Sequence, residues 1–474
     1  MSAALPPPMP TNPLRRIAID IKRERSATVP FPPGELRPSI TRTRRIVVDP
    51  LPELLRMYRA YGPVFSLRVL HAPVTMMIGP EANHHMLVSN AKNFVWRDGS
   101  FGDLIPLIGD GLLTIDGVAH RSARKLLLPA FHHEQVAASI ETMVEEIDAA
   151  LGRLGGGETR LDVYDWTRHL ALRVAMRALL GIDPDSRADG HDPAHEWEAA
   201  LSYYGRDLMV QAFRGPGTPF ARMVLGHRRL TALVNRELDA RRRGDGAAAE
   251  RSGVVSMLME ATDEAGEPLS DEAVRDHVLT LLFAGHDTTT ATITFMLYEL
   301  ARNPEQVAPL REELDEVLDG RPPTAHDLVA RLPRLEMAVD ETLRLYPPAW
   351  IGPRRSVAPF EFAGHPVPGG VHVNYCSWAS HRIPEVFPDP DRFLPERMAP
   401  DEKAKLPKGA YVPFGGGSRT CIGMRFGLLE VKAIAAMLLQ RYDFGLKRDY
   451  RLRIRQTPTL GPRDGMPMAL RPRA

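Results

Sequence analysis

Along most of the chain, apolar residues recur at intervals of three and four, the period of one face of a helix. This pattern predicts helices over residues 134–154, 164–180, 220–243, 270–302, 304–318, 332–346 and 424–441. Alternating or β-branched runs are few: Val64-Phe65-Ser66-Leu67-Arg68-Val69, Val74-Thr75-Met76-Met77-Ile78 and Val371-His372-Val373-Asn374-Tyr375. They predict one small, mostly antiparallel sheet near the N-terminus, joined by a late strand. Proline punctuates the pattern in two places. Pro6-Pro7-Pro8, Pro30, Pro32, Pro33 and Pro38 fix φ within the first fifty residues and predict an extended lead-in on the surface, without long helix. The cluster from Pro347 to Pro413 predicts short strands and meandering loop. With no repeat and no low-complexity linker, the fold class is mainly α. A proline-rich lead-in over residues 1–40 precedes a single large helical domain over 41–474 with a small, mostly antiparallel β-sheet subdomain.

Composition narrows the function by exclusion. At 474 residues, 44% hydrophobic and 25% charged, the chain is globular in type. Sixty Lys and Arg against fifty-nine Asp and Glu leave +1, so the overall charge favours neither nucleic acid nor an anionic membrane. Two cysteines, Cys376 and Cys421, make no disulfide framework and point to a reducing compartment. The N-terminus lacks the basic and apolar regions of a secretory signal, and no run of about 18 uncharged apolar residues occurs. The expectation is a cytoplasmic protein with no membrane span.

The stretch richest in chemistry is Phe414-Gly415-Gly416-Gly417-Ser418-Arg419-Thr420-Cys421-Ile422-Gly423, with a helix opening at Met424. Backbone N–H groups at a helix start stabilise a thiolate, which predicts a lowered pKa for Cys421. The glycines let the loop turn tightly and bring a flat ligand close to the backbone. Such a thiolate suits the iron of a porphyrin, because electron donation from sulfur favours O–O cleavage. A second feature lies inside 270–302, where Ala284-Gly285-His286-Asp287-Thr288-Thr289-Thr290 is a poor helix-forming run in an otherwise good helix. Threonine hydroxyls take backbone carbonyls and loosen the ladder, which predicts a groove. Asp287 beside Thr288 reads there as an acid–alcohol proton relay from solvent, with His286 a bystander. Glu341-Thr342-Leu343-Arg344 places a carboxylate and a guanidinium on one helical face. No G-x-G-x-x-G follows a strand and no G-K-[ST] occurs, so electrons for redox chemistry would come from another protein.

Phe414, Gly417, Cys421 and Gly423 follow F-x-x-G-x-x-x-C-x-G, which resembles the heme-binding loop of the cytochrome P450 superfamily. Ala284, Gly285, Asp287 and Thr288 match its oxygen-activating A/G-G-x-D/E-T pattern, and Glu341 with Arg344 its E-x-x-R helix, with Arg397 as the later arginine. The resemblance implies the P450 fold and heme b (iron protoporphyrin IX), with Cys421 on the iron. It further implies propionate binding by His120, Arg124, Arg419 and Arg354, with Arg355 a close second, and a structural role for Glu341, Arg344 and Arg397. It implies a monooxygenase that places one oxygen atom from O2 on an apolar small molecule. Electrons would come from a ferredoxin or flavodoxin-like donor with its reductase, docking near Arg425, Lys403, Lys405 and Lys408. Alternatives from the same resemblance are a peroxide-using or isomerising heme-thiolate enzyme and a non-catalytic heme sensor. Substrate lining is implied at Phe101, Leu104, Ile105, Leu107 and Ile108, over 200–213, at Ala349-Trp350-Ile351 and near Thr459-Leu460.

Overall fold

A computed structural model describes residues 10, 13–99, 102, 104–185, 193–201, 203, 204, 213, 215–245, 253–262 and 266–473. The helices that frame the site are α1 (Pro13–Arg25), α2 (Ile40–Val48), α3 (Pro50–Tyr61), α4 (Gly117–Leu127), α5 (His133–Gly152), α6 (Val163–Val174), α7 (Pro219–Arg243), α8 (Asp271–Arg302), α9 (Val307–Leu318), α10 (Pro333–Leu345) and α11 (Met424–Arg441). α5 and the helices from α7 onward follow the sequence periodicity closely. The stretch 164–180 is α6 continued by a wider turn over Ala175–Leu180.

Helix α8 is the axis of the molecule. Ser270 caps it by accepting from the Ala273 amide at 3.2 Å, with Asp271 and Glu272 in the first turn where the helix dipole favours acids. Its second half is buried on every side, as befits a helix without a polar stripe. α6, α7, α10 and α11 pack around it.

Strands β1 (Gly34–Glu35), β2 (Val64–Val69), β3 (Ala72–Met77) and β4 (Phe94–Val95) precede the long helices, and β5 (Thr159–Asp162) lies among them. β6 (Ile351–Ser356), β7 (Phe360–Phe362), β8 (His365–Val367) and β9 (His372–Cys376) fall in the second proline cluster, while β10 (Tyr442–Leu446), β11 (Ile454–Arg455), β12 (Gly461–Pro462) and β13 (Pro467–Pro472) close the chain. The main sheet has the order β1-β2-β3-β9-β6-β4; β1–β2 and β3–β9 pair in parallel and the other pairs are antiparallel. A three-stranded sheet, β10-β13-β5, and two two-stranded sheets lie apart from it, so strand structure is more dispersed than the single sheet expected. Their strands are short and several carry proline, which erases the period-two signal.

The lead-in also differs from expectation. Residues 13–25 form α1, because Pro13 sits at the first helical position, where its fixed φ helps, and the next proline is Pro30. α1 lies against β3, so this part of the lead-in is packed on the sheet. Among the described residues no helix is long and apolar enough to cross a membrane.

Candidate functional site

The cysteine loop is held by short-range backbone bonds. The Cys421 amide donates to the Phe414 carbonyl at 2.9 Å, and the Thr420 amide and hydroxyl both reach the Gly417 carbonyl, at 3.2 and 2.9 Å. Gly415 and Gly417 carry φ of +69° and +62°, in the left-handed region that favours glycine. A Cβ on Gly417 would stand 2.1 Å from the Leu87 carbonyl oxygen, so that position admits no side chain. Gly423 is less constrained, for a Cβ there would meet Phe131 at an ordinary 3.6 Å. Cys421 keeps accessible surface, yet enough protein stands around its sulfur to desolvate it. Burial pushes its thiol up, and the Gly423 amide and the positive field of Arg124 offset this only in part. The lowered pKa expected from the helix start is therefore not what the protein groups alone produce, since desolvation outweighs the Gly423 amide and Arg124.

Helix α8 presents a matching surface. Ala284 is exposed and Gly285 and Thr288 are half-buried in the middle of a helix whose neighbouring turns are buried. The helix runs unbroken here, so the expected loosening is not a break. Instead, Thr288, Thr290, Thr292 and Thr294 donate to the carbonyls of Ala284, His286, Thr288 and Thr290 at 2.7–2.9 Å, sharing acceptors with the ladder.

Asp287 points another way, as neighbours on a helix must. It has no accessible surface, and Arg168 Nε on α6 and His286 Nδ1 both lie 3.5 Å from its Oδ1. Burial alone would raise its pKa; the positive fields of Arg168 and Arg455, with the Thr459 hydroxyl, outweigh that and hold it ionised. The expected direct access to solvent is absent, since Arg168 stands beside the carboxylate and is itself mostly buried. His286, read from sequence as a bystander, is buried against Asp287, and desolvation pushes its imidazole down to about 3.

Three guanidinium groups and one neutral imidazole converge from three segments. His120 and Arg124 lie on α4, Arg354 on β6, and Arg419 in the cysteine loop. Burial first, then the fields of Arg419 and Arg124, drives His120 down to about 3. Desolvation also takes Arg354 and Arg419 down to about 10, with Arg354 and Arg124 adding repulsion at Arg419. Asp116 offsets part of this charge, meeting Arg419 at 2.5 Å while its carboxylate accepts from the amides of Trp96 and Arg97. Trp96, which the sequence reading missed, stacks its ring under both guanidinium groups, 3.5 Å from Arg354 and 4.9 Å from Arg419. Desolvated cations in excess of their counter-charge are the donor set a dianion such as a pair of carboxylates requires. Arg355 plays a different part: it faces away, to Asp20 at 3.0 Å and to the Asp98 and Gly370 carbonyls.

Glu341 and Arg344 form a bidentate pair at 2.7 and 2.8 Å without accessible surface, and Arg397 Nε joins Glu341 at 3.1 Å. Arg344 also donates to the carbonyls of His381, Pro390 and Arg392, tying α10 to the segment before the cysteine loop.

Two expected sets are only partly brought together. Phe101 and most of 200–213 lie outside the described residues; Leu107, Ile108 and Leu460 have no accessible surface, whereas Ile105, Ala349 and Ile351 keep some. Of the basic contacts, Lys403 is tied to buried Asp340 at 2.5 Å and Lys405 to Glu402 at 2.6 Å, while Lys408 and Arg425 are exposed. A further residue the sequence reading passed over is Glu430, buried on α11, which accepts from Thr289 of α8 at 3.1 Å; burial pushes its carboxyl up to about 8. Its signal was a lone acid in Leu428-Leu429-Glu430-Val431.

The family model described as Cytochrome P450 matches residues 49–462, and the chain belongs to that family. It is a cytochrome P450 monooxygenase, and membership implies a heme-thiolate cofactor, a small-molecule substrate and a redox partner. Among its relatives, cyclooctat-9-en-7-ol 5-monooxygenase of Streptomyces melanosporofaciens is 33% identical, over 88% of this chain and 90% of that one. Cyclooctatin synthase of the same organism is also 33% identical, over 82% and 84%. Among solved structures, retinoic acid bound cyanobacterial CYP120A1 superposes with a TM-score of 0.82 at 27% identity, covering 94% of this chain and all of that one.

Proposed function

We propose that the chain holds heme b with Cys421 as the iron ligand and oxygenates a largely hydrocarbon small molecule with electrons from a ferredoxin or flavodoxin-like donor and its reductase. The observation that carries this is the convergence of His120, Arg124, Arg354 and Arg419 beside a loop whose cysteine keeps accessible surface. Arg124, Arg354 and Arg419 would pair with the two propionates and His120 would donate a hydrogen bond, while the accessible Ala284–Gly285 face of α8 would leave room for the macrocycle. When bound, the heme supplies activation of dioxygen and transfer of one oxygen atom to a C–H or C=C bond. The rest falls to side chains. Thr288 Oγ1, now donating to Ala284, can turn its proton toward that accessible face. Asp287 holds a negative charge one residue away, and rotation off Arg168 would let it take up a proton and pass it toward Thr288. The apolar surfaces of Ile105 and Ile351 favour a hydrocarbon and exclude water. A relative named for cyclooctat-9-en-7-ol and a neighbour solved with retinoic acid point to the same substrate class.

The test is the ferrous carbon-monoxide spectrum of the purified protein. A thiolate-type band that Cys421→His converts to an imidazole type supports the reading; an imidazole-type band in the unmodified protein overturns it. Thr288→Ala should keep the spectrum and consume reductant with product falling about a hundredfold or more, the lower end of the range for general acid–base groups.

A further inference from the structure

Strand β6 has two faces, and successive side chains alternate between them. Arg354 faces the cation cluster, while Arg355 faces α1, which lies before the stretch the family model covers. There the Asp20 carboxylate has little accessible surface. Arg355 donates to its Oδ1 at 3.0 Å, His372 Nε2 lies 3.5 Å from the same oxygen, and His71 Nε2 is 3.0 Å from Oδ2. These partners come from β6, β9 and the turn between β2 and β3, so one carboxylate joins three segments of the sheet. Arg355 is left no freedom: Nε donates to the Asp98 carbonyl at 2.8 Å and a terminal nitrogen to the Gly370 carbonyl at 3.0 Å. Arg23, one turn along α1, pairs with the Asp98 carboxylate at 2.8 Å. Asp98 is two residues from Trp96, the ring on which Arg354 and Arg419 stack. α1 thus grips both the strand that carries Arg354 and the loop that carries its aromatic platform.

We propose that Asp20, with Arg23, is a positioning residue for the heme site: through Arg355 and Asp98 it fixes Arg354 over Trp96, so the N-terminal helix governs how tightly the heme propionates are held. This rests on the heme reading above. A residue that acts through a ligand-orienting partner changes affinity by about 10–100-fold when removed.

The experiment follows transfer of heme from the full-length holoprotein to excess apomyoglobin, read by absorbance. Asp20→Asn should lose heme about tenfold faster than the unmodified protein, and Asp20→Glu should restore most of the retention. Glu24→Gln is the control, because it cuts another tie of the same helix, to Arg68 at 3.1 Å on β2, without touching Arg355. It should leave the rate unchanged. Loss from Asp20→Asn at the unmodified rate, or equal acceleration by Glu24→Gln, overturns the proposal. If Asp20→Asn does not fold, Arg23→Gln, at a partly exposed side chain, must speed the loss severalfold, and an unchanged rate there also overturns it. An unmodified protein that takes up no heme sinks the heme reading and this inference together; a heme-loaded one indifferent to Asp20→Asn and Arg23→Gln sinks the inference alone.

Discussion

Glu430 shows how much one buried group can decide. It lies between α8 and α11 with a single hydrogen bond, from Thr289, and desolvation keeps it protonated up to about pH 8. An exposed glutamate titrates near 4.5, so between there and about 8 the folded chain binds a proton that the unfolded chain does not. Stability from this group is therefore full below 4.5, declines as pH rises toward about 8 and is flat beyond. Denaturant midpoints at pH 5 and pH 8 should differ in that sense for the unmodified protein, and Glu430→Gln, which cannot ionise, should remove this contribution to the difference. Gly417 makes the complementary point about the backbone. With φ at +62° and the Leu87 carbonyl 2.1 Å from any Cβ, Gly417→Ala should cost roughly 1–3 kcal/mol, the scale of a strained residue, seen as a lower melting temperature with reduced heme content. The glycine was visible in the sequence as part of a pattern. Its reason, an approach to a carbonyl 330 residues earlier in the chain, was not.

At the scale of elements, α10 matters for what it fastens. Arg344 and Arg397 share one carboxylate, and both lose it in Glu341→Ala, which leaves two cations without their counter-charge. Breaking a buried pair from one side costs about 3–5 kcal/mol, so the variant should unfold at markedly lower denaturant. It should also release the segment from His381 to Leu394, detectable as faster amide hydrogen exchange there. Glu341 and Arg344 were visible as a pair at helical spacing, whereas their weight and the part of Arg397, 56 residues from Glu341, came only from the family resemblance. The long helices were legible because apolar residues at three and four residues' spacing survive any tertiary context that buries one face. α1 was not, because the prolines around it hid a proline-free stretch with Leu14, Ile17 and Ile21 at that same spacing. Trp96 and Asp116 were invisible for another reason. Each meets the cation cluster through Arg354 or Arg419, far away along the chain, and no local pattern marks such a residue.

Over the whole molecule, charge is balanced to +1, so no long-range field draws an acidic protein toward it. A redox donor that docks near Cys421 must be recognised by a local set of cations, and the structure sorts the four named from the sequence. Lys403 is anchored to Asp340 and lies over the Tyr411 ring, and Lys405 has Glu402 beside it. Lys408 and Arg425 are exposed, and Arg425 is on the first turn of the helix that the cysteine loop opens. Charge reversal of these two, Lys408→Glu with Arg425→Glu, should lower kcat/KM for a reduced ferredoxin about tenfold at low ionic strength, because complementary charge acts chiefly on association. The deficit should shrink toward 0.5 M salt, roughly where screening cuts the range of exposed charges below 5 Å. Lys403→Ala should leave donor-dependent turnover unchanged and instead lower stability, since it strands Asp340. Equal loss of donor-dependent turnover from Lys403→Ala, or a deficit indifferent to salt, would place the donor on another face.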